Sequence, residues 1–243
     1  MYSRAAAVIR KLGSCNKEIF KDTEWKVTII HRMFDIAAVP NVLILPDKNI
    51  VIVSDIFNFI KSKDQLMFIL AHEMSHEMLH HTAETLSLGL ISDVVTITFT
   101  FASWLLFSRG VAAVLCSCMY VLTALIFSWY KRGTEAEADA VGLKLAAKSC
   151  VDFREILVFW EIMKTFEELS GQKKFQVPIL MQHPILEERE RSTVQMIPRA
   201  MELRRKAKCP PMPARDPRDN LAIYKKDIEN YLHKGPKFLG IRL

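Results

Sequence analysis

His72, Glu73 and His76, in the run His72-Glu73-Met74-Ser75-His76, are the residues in this chain best suited to chemistry. On a helix, positions four apart lie on one face, so the two imidazoles can point at a single metal ion. Glu73 lies beside them, where it can take a proton from water activated by that metal. Three fixed positions in five also recur in unrelated helices, so the motif needs a third protein ligand before it describes a catalytic zinc site. The metzincin solution would place a histidine ten residues after the first; Thr82 stands there, and Leu79 holds the preceding glycine position. His80 is one turn beyond His76, but a straight helix carries it too far for a third short bond. His80 and His81 are therefore read as supporting or surface histidines.

A later acidic run offers the missing ligand. In Glu135-Ala136-Glu137-Ala138-Asp139, Glu135 and Asp139 are four apart and share a helix face. One of the two can bind the metal. The other can accept a hydrogen bond from the far nitrogen of a ligand histidine and so fix its ring. Glu137 is expected to point elsewhere. The alanines would let this helix approach the first closely. A solvated acidic helix start, favourable to the dipole, is the plainer alternative. Beside His72-Glu73-x-x-His76, the metal reading outweighs it.

The elements that must position these groups can be read from periodicity and turn residues. Residues 26–30 (KVTII) form a β-branched strand. Residues 41–45 and 50–53 read as a hairpin around Pro46-Asp47-Lys48-Asn49. The apolar spacing predicts one long helix over 63–86, with Asp64 as its N-cap. Further helices are expected over 135–149, 153–169 and 186–206, the last kinked or broken at Pro198. A Pro-rich linker over 209–213 and a short charged helix after Asp219 complete the chain. The fold class is α+β, mainly helical. Residues 1–14 carry Arg4, Arg10, Lys11 and no acid. That composition suits a mitochondrial presequence or a first amphipathic helix, and we read the helix.

Composition adds bounds. The chain has 243 residues, enough for a sizeable core, with 33 basic and 27 acidic side chains for a net charge of +6. The basic residues are interleaved with acids, which argues against nucleic acid and suits a surface beside anionic lipid. The five cysteines (15, 116, 118, 150 and 209) are odd in number and irregularly spaced, so neither a disulfide framework nor a Cys-rich zinc finger is indicated. Cys116 and Cys118 are expected to pack as small hydrophobes.

The mean hydropathy of +0.12 is high for a chain in which 25% of residues are charged. The excess lies in residues 86–130, between the second histidine and the acidic run. Residues 111–130 carry no charge and as a helix would span about 30 Å, enough to cross a hydrocarbon core. Ligands on either side of this insertion must meet, so a membrane would be crossed an even number of times. Ser108-Arg109-Gly110 supplies the turn. Asp93 is costly at mid-bilayer, which leaves a hairpin dipping into one leaflet, or a buried helix pair, as the alternatives to two full spans.

The combination of His72-Glu73-Met74-Ser75-His76, Glu135-Ala136-Glu137-Ala138-Asp139 after an apolar insertion, and His183-Pro184 followed by Arg189 resembles the zinc metalloendopeptidases grouped with the CAAX prenyl proteases and HtpX. Cys15-Asn16-Lys17, the strand run from Asn41 to Asp47, the run after Glu135 to Cys150 and the segment at Cys209 are most similar to its mitochondrial inner-membrane branch, whose activity overlaps that of the m-AAA protease. The resemblance covers about residues 5–211.

It implies a gluzincin-like zincin with a small edge-strand sheet, an active-site helix, a glutamate helix and an apolar helical hairpin. It implies one zinc ion per chain on His72, His76 and Glu135, Glu73 as general base, and Asp139 behind a ligand histidine. It further implies that His183 or Arg189 contacts the tetrahedral intermediate or orders the site. Asn41, Val42 and Leu43 stand where the family's substrate edge strand reads Asn-Ala-Phe. An extended peptide could add to that strand, with altered subsite preference.

The peptidase domain would occupy residues 1–211, with 86–130 as the hairpin and 212–243 as a tail. The implied partners are a membrane-anchored polypeptide substrate and membrane lipid, homo-oligomerisation being left open. The branch it resembles has a longer N-terminal region with its own membrane segment, so a fragment, a truncated form or a short paralogue is expected. The runner-up reading is a catalytically silent, zinc-binding membrane scaffold or regulatory paralogue; an intact Glu73 argues against it.

Overall fold

Ala5, Val8, Ile9 and Leu12 recur at helical spacing, and in the computed structural model of the chain they are the buried stripe of helix α1 (Tyr2–Cys15). The structure describes residues 1–17, 24–31, 41–45, 47–170 and 186–234. Strands β1 (Lys26–Ile30), β2 (Val42–Ile44) and β3 (Asn49–Val53) form a sheet in the order β1-β3-β2. β2 and β3 make the expected antiparallel hairpin, with Val42 opposite Ile52. β1 runs parallel to β3, pairing Lys26 with Asn49. Val42, Ile44, Ile50 and Ile52 are buried and join the same core as α2, because alternate strand side chains share one face.

Helix α2 (Lys63–Met78) lies at the centre, with an unbroken buried run from Gln65 to His72. Its N-cap is Ser62, whose hydroxyl accepts from the Gln65 N–H at 3.1 Å. Asp64, expected as the cap, instead accepts from the Asp152 backbone N–H at 2.8 Å and ties α2 to the next helix pair. The single helix expected over 63–86 is in fact two. α2 stops at Met78, His80 adopts a left-handed φ of 59°, and α3 (His81–Leu106) starts afresh. Histidine is among the non-glycine residues that enter this region most readily. Apolar spacing carries no signal of such a one-residue break.

The converse holds for α4 (Arg109–Lys148), a single helix of 40 residues. It fuses the apolar run to Tyr130 with the helix expected from Glu135, continuing through Lys131, Arg132 and the exposed Gly133. One exposed helical glycine costs only about 1 kcal/mol, too little to end a helix of this length. α5 (Phe153–Leu169) is capped by Asp152, which accepts from the Arg154 N–H at 3.0 Å. α6 (Leu186–Lys206) runs through Pro198 without the expected break. The carbonyl that Pro198 leaves free belongs to Val194, on the exposed side, where water can satisfy it. α7 (Leu221–Lys234) docks Ile228 against Phe59, Val158, Ile162 and Phe166.

The architecture is thus mainly helical, and among the described residues a three-stranded sheet packs against α2. Two findings correct the cysteine reading. Cys150 and Cys209 form a disulfide that fastens the end of α4 to the segment after α6. Cys118 is exposed on the hairpin rather than packed inside. α3 and α4 are both long and apolar enough to cross a membrane. Their apolar side chains point outward: Leu106 and Trp129 are each 72% exposed.

Candidate metal centre

The site is built where α4 crosses α2. Its closeness depends on Gly142. A Cβ there would lie 2.9 Å from both the Cα and the N of His72, so even alanine would collide with backbone. Ala138, one turn earlier, is fully buried in the same contact region. The alanines were expected to allow this approach, and the position that admits no Cβ is a glycine. Sequence reading passed over it because a lone helical glycine more often marks weakness than contact.

This crossing brings His72, His76 and Glu135 together. One ligand atom from each lies within 4.8 Å of the others. The His72 and His76 Nε2 atoms are 3.1 Å apart. The Glu135 carboxylate is 3.6 Å from His72 Nε2 and 3.4 Å from His76 Nε2. The edge of a tetrahedron with metal–ligand bonds near 2.0–2.1 Å is about 3.3 Å. The carboxylate meets His72 through Oε2 and His76 through Oε1, and two imidazole nitrogens and one carboxylate at these separations suit the three protein ligands of a zinc site. The fit extends to charge state. Burial lowers the pKa of His72 despite the raising influence of Asp139, and neutral imidazole is the form that binds metal.

Asp139 lies behind His72, its Oδ1 2.9 Å from His72 Nδ1. Arg189, from α6, grips the same carboxylate with two donors. Its Nε donates to Oδ2 at 2.9 Å and its Nη2 to Oδ1 at 2.7 Å. Nη1 also approaches Glu135 Oε2 at 3.3 Å. Arg189 is thereby fixed at the edge of the centre and stacked over the Trp160 ring, 4.5 Å from its centroid. Trp160 in turn donates to the Thr193 hydroxyl at 3.3 Å, which donates to the Arg189 carbonyl at 2.8 Å. Burial pushes the Asp139 carboxyl up, but Arg189 and His72 outweigh it and hold the group at about 2. The role of Trp160 had no signal in the sequence, where it was one apolar position of an amphipathic helix.

Glu73 is half-buried on α2, next to the ligand row. Burial, then the charge of Glu135, push its pKa up to about 8, with Arg189 pulling the other way. A divalent cation at the centre would act in the same direction as Arg189. His183 lies outside the described residues. Asn41, Val42 and Leu43 stand on the β2 side of the sheet, with Asn41 exposed, Val42 buried and Leu43 half-buried. Among the described residues, no strand pairs with the far edge of β2.

Of the two readings given for His81, supporting or surface, the structure has it buried beside a ligand: it is 4% exposed, and its Nδ1 lies 3.0 Å from His76 Nδ1. Glu137, expected to point away from the face of Glu135 and Asp139, is largely exposed and has its Oε2 3.4 Å from His81 Nε2. The left-handed turn at His80 swings His81 back toward the ligands, a geometry that a straight helix denies.

Comparison with known proteins places these residues in context. The profile of peptidase family M48 matches residues 4–196. The bovine protein named "Metalloendopeptidase OMA1, mitochondrial" is 32% identical over 99% of this chain and 45% of its own length. Its human counterpart is 30% identical over 97% of this chain and 44% of its own. The Saccharomyces cerevisiae "Mitochondrial metalloendopeptidase OMA1" is 27% identical over 82% of this chain and 54% of its own. The chain therefore spans about half the length of these relatives. No solved structure matches it.

Proposed function

The chain belongs to peptidase family M48, and from that premise we propose that it is a zinc-dependent metalloendopeptidase that cleaves membrane-associated polypeptides. The observation that carries the reading is the meeting of His72, His76 and Glu135 at tetrahedral-edge distances beside Glu73. The three ligands would hold one zinc in a gluzincin-like zincin site. When bound, zinc supplies Lewis acidity, which polarises a scissile carbonyl and brings the pKa of water down to about 7. Glu73 takes the proton of the attacking water and hands it to the leaving amine. Asp139 holds the His72 ring. Arg189, anchored by Asp139 and Trp160, offers positive charge at the rim, where an oxyanion develops. His183 is a second candidate for that task. Asn41, Val42 and Leu43 would receive the substrate as an added strand along β2.

Residues 1–211 would form the peptidase unit, with 212–243 as a tail. The outward apolar surface of α3 and α4 supports membrane attachment. The names of the relatives support the mitochondrion, and by the family resemblance its inner membrane, as the compartment. A lipid-embedded chain would meet substrates anchored in the same bilayer.

The test is zinc content together with cleavage of an unfolded polypeptide by the detergent-solubilised chain. One zinc per chain and chelator-sensitive cleavage are expected. Glu73→Gln should keep the zinc and lose about 10²- to 10⁴-fold in turnover. Zinc without cleavage in the wild type would favour the silent-scaffold reading, and normal turnover in Glu73→Gln would sink the assignment of the base.

A further inference from the structure

His76 has a back-partner that the three-ligand description leaves out. Its Nε2 faces His72 and Glu135, so Nδ1 is the nitrogen turned away from the centre. An imidazole that binds metal through Nε2 carries its hydrogen on Nδ1 and needs an acceptor there. The acceptor at hand is Nδ1 of His81, 3.0 Å away, with the two rings at 70° to one another. His81 must then carry its own hydrogen on Nε2, where the Glu137 carboxylate lies 3.4 Å away. One tautomer assignment satisfies every member of this row, and it is the assignment that leaves His76 Nε2 free to bind.

We propose that His81, backed by Glu137, is a positioning residue that holds the His76 ring for metal binding. The inference rests on the metal-site reading above and extends it. It makes the two ligand histidines alike in kind: His72 is held by Asp139 directly, and His76 by a carboxylate acting through an imidazole. The two arms are unequal. Asp139 is buried and close, whereas Glu137 is 61% exposed on its side chain and its contact is long. Most of the orienting effect therefore resides in His81 and the smaller part in Glu137. The device depends on the left-handed turn at His80, which makes His81 the first residue of α3 and aims it back at α2.

The proposal separates from a mere packing role by the order of two substitutions. His81→Asn keeps an acceptor oxygen close to the original Nδ1 but leaves a void. His81→Leu fills the volume and has no acceptor. We measure the zinc Kd of the full chain in detergent by competition with a chromophoric chelator, and the thermal midpoint of each metal-free variant alongside. Loss of the acceptor should weaken zinc about 10- to 100-fold in His81→Leu. His81→Asn should recover most of that loss. Glu137→Gln, at an exposed position that folding tolerates, should weaken zinc by less than about tenfold.

The reverse order, with Leu near wild type and Asn weak, makes His81 a packing residue and overturns the proposal. Wild-type zinc affinity in both His81→Leu and Glu137→Gln does the same. Glu135→Gln is the control for the underlying reading. If it binds zinc as tightly as wild type, or if the wild type binds none, the site itself is wrong and the relay falls with it. If Glu135→Gln loses zinc and His81→Leu does not, the relay alone fails.

Discussion

Asp139 ties the arginine of the site to one of its histidines. It accepts two hydrogen bonds from Arg189 and holds His72, and its carboxyl lies at about 2 against an ordinary 3.8. The fold thus favours the ionised form by about 2 kcal/mol. Because the folded value is the lower one, this stability is fully present above about pH 4 and is lost as pH falls toward 2. Asp139→Asn should be at least about 2 kcal/mol less stable than wild type at pH 7, since it leaves the buried Arg189 charge poorly matched. Urea unfolding should show the gap closing between pH 4 and pH 2; a gap that ignores pH would contradict the account. At this scale the sequence was informative wherever spacing on one helix decided the matter. His72, Glu73 and His76 share α2, and Glu135 and Asp139 share α4. It left His81 between a supporting and a surface place and gave no sign of Trp160, because these depend on a left-handed turn and on the packing of α6 over α5.

At the scale of elements, the crossing of α2 and α4 sets the site, and Gly142 sets the crossing. Gly142→Ala gains about 1 kcal/mol of helix propensity. Against that, the new methyl meets the His72 backbone at 2.9 Å, and backbone cannot rotate away. Overpacking of this kind costs about 1–3 kcal/mol. The net effect should be destabilising, with weaker zinc binding because His72 moves relative to Glu135. Thermal unfolding with and without zinc checks both; a more stable variant with normal zinc affinity would show that the helices have slack. The strands and the positions of most helices were legible from β-branching, turn residues and apolar spacing. The break after Met78 and the continuity through Gly133 were not. The first turns on one left-handed residue, and the second on the small cost, about 1 kcal/mol, of one exposed helical glycine.

For the whole molecule, α3 and α4 stand out from the body with their apolar side chains turned outward, and the same α4 carries Glu135 into the centre. The positive hydropathy of a well-charged chain is thus localised in a hairpin whose second helix continues into the site. Membrane-expressed chain should stay with the pellet after alkaline carbonate extraction; release into the supernatant would contradict insertion. The disulfide between Cys150 and Cys209 closes a stretch of 59 residues, worth about 4 kcal/mol by loop entropy alone. Cysteine counting missed this pair because two bonded residues were hidden among five. The central claim, however, is the centre itself. Its most direct test is anomalous diffraction at the zinc edge from crystals of the full chain. The account predicts one peak per chain, about 2.0–2.1 Å from His72 Nε2, His76 Nε2 and a Glu135 oxygen. A peak on another set of residues, or none from zinc-replete protein, would contradict it.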